Sequence, residues 1–115
     1  MLRGKWNTAT IESGQTLSNE VNLQTGYDTL FDTLLVMIPT IDECKVNIQA
    51  SDEAGGTFRD LYLVEGDGTN CKVMSDLGTG NFVWNIPLNG LQFIKIQTTV
   101  AQTEDRTFRV CGVQV

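Results

Sequence analysis

Short apolar runs, cut apart by turn residues at intervals near the about 8–12 residues of a sandwich or barrel, constrain this chain most. The clearest run is residues 44–51. There Cys44, Val46, Ile48 and Ala50 share one face of a strand, and Lys45, Asn47, Gln49 and Ser51 share the other. A period of two buries one face and wets the other. The turn 52–57, with Gly55 and Gly56, leads into residues 58–64, so the two runs read as a hairpin.

The rest of the chain repeats this pattern. Residues 6–11 are rich in β-formers and stop at the turn cluster Ser13-Gly14-Gln15; residues 19–23 alternate polar and apolar. After Gln24-Thr25-Gly26, the stretch 30–38 is apolar on both faces and closes at Pro39, whose missing N–H favours an edge or an exit. Leu30, Phe31 and Leu34 also fit a short helix, and length does not decide between the two. A loop over 65–70 precedes a weak strand at 71–74, and Gly78-Thr79-Gly80-Asn81 reads as another turn. Phe82, Trp84 and Ile86 alternate towards a core until Pro87; residues 91–99 and 106–113 complete the set.

The expectation is therefore an all-β fold with about eight antiparallel strands in a two-sheet sandwich. A single domain spans residues 1–115, with residues 1–5 a flexible or docking arm. An immunoglobulin-like sandwich would want a Trp soon after the first Cys, and Trp84 stands too far beyond Cys44. Jelly-roll topology is favoured instead.

Composition narrows the function classes. No run approaches the ~20 apolar residues of a membrane span, and residues 1–6 lack the apolar core of a signal peptide. The net charge of −6 opposes nucleic acid and anionic membranes, so neither is expected as a partner. There is no histidine, which removes Ser–His and Cys–His nucleophile pairs within the chain. Cys44, Cys71 and Cys111 show no CxxC spacing and read as free thiols, suited to a reducing cytoplasm. Asp60, Glu65 and Asp67 are the candidates for a carboxylate pair, and residues 65–70 make a loose oxygen-donor loop without the EF-hand pattern. These read as solvated turn residues, so no enzyme, metal or cofactor is expected. Trp6, Tyr27, Tyr62 and Trp84 are the aromatic platforms a sugar could use; Trp84 reads as core and Tyr62 as facing out.

Three segments carry a resemblance. Residues 11–18, Ile-Glu-Ser-Gly-Gln-Thr-Leu-Ser, lead into the strand Ser18 to Leu23. Ile48-Gln49-Ala50-Ser51 is followed by Gly55-Gly56-Thr57-Phe58-Arg59-Asp60-Leu61. Leu91 to Ile96 is followed by Gln102 to Arg109. Taken in order, they resemble small jelly-roll decoration (cement) proteins of tailed-bacteriophage capsids. None is a catalytic motif. The resemblance implies a non-enzymatic virion protein on the capsid surface, assembled in the host cytoplasm. It implies the major capsid protein as partner and a homotrimer as the assembly. The alternative is a tail- or fibre-associated β-sandwich module binding carbohydrate or a receptor. Arg3 and Lys5 are basic in an acidic chain and Trp6 is a hot-spot type, so these three are the expected capsid-interface residues.

Overall fold

Thr33–Cys44 places Leu34, Val36 and Ile38 at every second position, and this β4 becomes an inner strand. In the computed structural model, which describes residues 2–24, 31–64, 67–88 and 90–114, Leu34, Val36 and Ile38 point inwards and are buried. β4 lies between β11 (Arg106–Gln114) and β9 (Gly78–Pro87). On its other side β11 carries β1 (Leu2–Arg3) and β2 (Asn7–Ile11), which share one lane end to end. The second sheet runs β3 (Val21–Asn22), β10 (Phe93–Thr98), β5 (Val46–Ser51) and β6 (Arg59–Asp60). A hairpin of β7 (Tyr62–Val64) and β8 (Asn70–Lys72) stands beside it. Every pairing is antiparallel.

The two main sheets face each other across one core. Ala9, Phe108 and Val110 of the first sheet join Val46, Ile48, Ile94 and Ile96 of the second. Each of these side chains larger than alanine contributes on the order of 1.5–3 kcal/mol by leaving water, an upper bound because the unfolded chain is partly compact. Phe31 closes one end of the core. Its ring lies over Gly4 and Gly112, where an added Cβ would come within contact distance of the ring.

The all-β sandwich expected from the pattern is present, and the details differ in instructive ways. The described residues hold eleven strands rather than about eight, because the lane beside β11 is split and the run 58–64 is broken. Only Arg59–Asp60 pairs with β5, and Tyr62–Val64 turns away to pair with β8. Pro39 does not end its strand. The ladder to β11 stops at Met37, two residues earlier, and β4 continues to Cys44 against β9 with a bulge after Thr40. Residues 78–81 are likewise strand rather than turn. Gly80 and Asn81 hold left-handed backbone (φ 85 and 64), and a Cβ on Gly80 would land on the Pro39 carbonyl oxygen. Glycine there permits the close approach of β9 to β4.

Asn47 is buried although the alternation puts it on the wet face of β5. Residues 59–61 and 74–75 run beside it along the outer edge of β5. Leu61 N–H donates to the Ile48 carbonyl and Ser75 N–H to the Val46 carbonyl, which closes the β5 edge. Asn47 Nδ2 donates to Asp60 Oδ1 (3.2 Å) and to Gln97 Oε1 (3.0 Å), offsetting the loss of water. No buried side-chain polar atom among the described residues lacks a hydrogen-bond partner.

Candidate binding surface

The residues singled out at the amino end are laid onto the first sheet. Arg3 pairs with Val113 and Gly4 N–H donates to the Gly112 carbonyl, so residues 2–4 follow β11. Arg3 and Lys5 are exposed, and Trp6 is half-buried. The guanidinium of Arg109 sits 5.4 Å from the centre of the Trp6 ring, a cation–π contact that joins positions 103 residues apart in sequence.

Arg109 begins a row across the outer face of this sheet. Thr8 pairs with Arg109, Arg109 with Met37, and Met37 with Val83, one residue from each lane. Met37 is 42% exposed and Val83 60%. A small hollow of about 240 Å³ lies beside Met37, Pro39, Thr107 and Arg109. Tryptophan, arginine and methionine side by side on an exposed face have the composition of a protein-binding surface.

The row ends on β9, which borders the sheet. Apart from its ladder to β4, no backbone hydrogen bond among the described residues reaches Gly78–Pro87. The strand contains no charged residue. On its inner side a groove of about 470 Å³ opens between the strand and residues 74–77, with Phe82 and Trp84 on the strand wall. It continues past Trp84 towards Leu63, Val73 and Ile86. Phe82 and Trp84 do face inwards, as the alternation implies, but the inter-sheet space is open here. Phe82 stays 40% exposed and Trp84 is half-buried.

The other chemistry-bearing groups are engaged in holding the fold. Asp60 forms an ion pair with Lys72 (3.2 Å) and accepts from Asn47 and Gln49. Asp67 accepts from Thr69 N–H at 2.9 Å, which holds its carboxyl below the usual range in a tight turn through Gly68. Glu65, Gly66 and Tyr27 lie outside the described residues. Among the described residues no group of three or more His, Cys, Asp or Glu could hold a metal ion. Tyr62 faces out, as expected. Cys44 and Cys111 are buried, and removal from water raises both thiols above their ordinary value; Cys71 is exposed.

Asp42 anchors the end of β4. Its carboxylate accepts from Thr103 N–H (2.7 Å), Thr103 Oγ1 (3.1 Å) and Arg106 Nη2 (2.9 Å). The Thr103 backbone bond, with the hydroxyl and the guanidinium, outweighs burial and holds the carboxyl below the usual range. Beside it, the buried side chain of Gln102 accepts from Asp42 N–H and donates to the Val100 carbonyl.

No protein-family model matches the chain, and the comparison with curated proteins gives no match. Among solved structures, the SPBc2 prophage-derived protein YomS superposes with a TM-score of 0.57 at 19% identity, covering 97% of this chain and 95% of its own. That likeness shows a shared fold. The Yersinia pseudotuberculosis-derived mitogen gives a TM-score of 0.44 at 10% identity, over 96% of this chain and 85% of its own. The family 32 carbohydrate-binding module of C. perfringens NanJ, solved with galactose, gives 0.40 at 11% identity, over 96% and 99%.

Proposed function

We propose that this chain is a non-enzymatic structural protein of a phage particle, a decoration subunit that binds the outer surface of the capsid. The observation that carries the phage part is the fold shared with a prophage-derived protein over nearly the full length of both chains. The arrangement of the strands agrees with this. We read the order β2-β11-β4-β9 in one sheet and β3-β10-β5-β6 in the other as a jelly roll. The hydrogen-bonded side chains described above fasten loops and strand edges, while Met37 and Val83 leave apolar surface on the outer face of the first sheet.

That face is the contact we assign to the major capsid protein. Trp6 and Arg109 supply a flat, partly desolvated anchor, Met37 and Val83 extend it, and Arg3 and Lys5 stand nearby. The chain as a whole carries −6, so the remaining surface stays soluble when the particle is finished. Decoration requires only that each copy meet the same coat surface. The trimer implied by the resemblance is one stoichiometry among those a shell permits.

Mixing the purified chain with expanded capsids that lack it tests this reading. Saturable binding in a fixed ratio to coat subunits is expected, lost on Trp6→Ala with Arg109→Ala. Capsids that take up none of the chain would exclude it.

One observation favours a second reading, a glycan- or receptor-binding module of a tail or fibre. The groove beside β9 combines Phe82 and Trp84 with Asp76 and Thr79. Aromatic faces and polar groups together are what a sugar ring uses. Glycan-array binding abolished by Trp84→Ala would select this reading.

A further inference from the structure

We propose that β9 pairs edge to edge with β9 of a second copy of this chain, antiparallel about a two-fold axis, joining the two four-lane sheets into one. The fold treats its sheet edges unequally. The β5 edge is closed by Leu61 and Ser75, whose N–H groups donate to its carbonyls. The β2 edge is closed by a side chain, since Thr10 N–H donates to Asn19 Oδ1 and Asn19 Nδ2 donates to the Thr8 carbonyl. Among the described residues β9 has no such closure, and it is ten residues long. Exposed strand edges are normally blunted by charge, proline or cover, because unpaired backbone groups recruit another strand. Here the left-handed pair Gly80-Asn81 bends one end, and Pro87 ends the other. Between them Phe82 to Ile86 is an uncharged edge, apolar at every position but Asn85.

A second copy fits this edge for three reasons. The strand is uncharged in a chain of net −6, so two copies meet there without apposed like charges on the strands. The two-fold keeps inner face against inner face, which allows an axis at Val83 or at Trp84. With the axis at Val83, Phe82 stands opposite Trp84 of the second copy; at Trp84, the two indoles meet and Phe82 stands opposite Ile86. Both bring aromatic and β-branched residues together as favourable cross-strand pairs. Finally, a ring built by strand pairing, such as a trimer, needs a second open edge of similar length, and Asn19 occupies the one on β2. Only the self-complementary contact remains. With the axis at Val83 the pairing also prolongs the outer-face row, carrying Thr8, Arg109, Met37 and Val83 of one copy on to Val83 of the next.

This inference does not depend on the capsid reading, and it is tested on the purified chain alone. Light scattering is expected to give a mass about twice the 12.7 kDa of one chain, or a larger even multiple. Phe82→Lys and Val83→Lys each put a charge from either copy into the contact, on opposite faces of the strand, and are expected to halve that mass with unchanged circular dichroism. Hydrogen exchange of the wild-type chain gives a readout free of any variant: amides within 82–86 should gain protection as concentration rises. A monomer or trimer, or a mass unchanged in a folded Val83→Lys, would overturn the proposal. So would amides that become protected only on capsids, which would assign the edge to a strand of the coat protein.

Discussion

Thr10 and Asn19 are joined by a 2.8 Å hydrogen bond from backbone N–H to side-chain Oδ1, and through it the chain closes its own sheet edge. A polar side chain here does what a neighbouring strand would do, satisfying backbone groups on the outer side of β2. Asn19→Ala is expected to cost about 1 kcal/mol in urea unfolding, the net worth of one such bond. It should also open a second edge, so that light scattering at raised concentration shows species larger than the wild type forms. Unaltered stability and mass would mean that Asn19 does not guard the edge.

Acid should loosen the end of β4. The Asp42 carboxyl is held below its ordinary value by Thr103 and Arg106, so folding is favoured while that group is ionised in both states. The contribution is fully present above the unfolded carboxylate value and is lost as pH falls through the lowered folded value. Asp42→Asn should therefore unfold more readily than wild type at neutral pH, and the gap should narrow in titration to strongly acid pH. Parallel pH–stability curves would contradict this.

Gly112 is required by Phe31. A Cβ there would overlap the first atoms of the Phe31 side chain, and these cannot swing away as a flexible tip could. Gly112→Ala should cost about 1–3 kcal/mol through overpacking. Thermal unfolding that matched wild type would show that the Phe31 end of the core gives way freely.

The three thiols should differ in reactivity. Cys71 is exposed, whereas Cys44 and Cys111 are buried and held protonated by loss of water. A disulfide reagent should modify one thiol rapidly in the native chain and three after unfolding. Three fast thiols in the folded state would place the buried pair in an opening part of the sandwich.

Much of this architecture was legible in local pattern. The alternation of Val46, Ile48 and Ala50 marked a half-covered strand, and the sandwich followed from the spacing of such runs. What escaped depends on which segments meet. Asn47 is enclosed by Asp60, Gln97 and the edge segments 59–61 and 74–75, and nothing in its own strand records that these arrive beside it. Pro39 reads as a stop until the ladder to β11 is known to end at Met37. The Trp6 anchor was visible as a residue type, while its partner Arg109 comes from the far end of the chain. Whether β9 lies inside a sheet or borders it is a property of strand order. Phe82 and Trp84 therefore looked like ordinary core residues.

If the chain is a part of a phage particle, purified particles contain it. Particles released from the bacterium whose genome encodes this chain can be banded by density, stripped of loosely held protein and quantified by mass spectrometry against their coat protein. The chain is expected in the particle band, in fixed proportion to coat subunits across preparations. Its absence from particles, with the protein remaining in the cell lysate, would exclude a place in the virion.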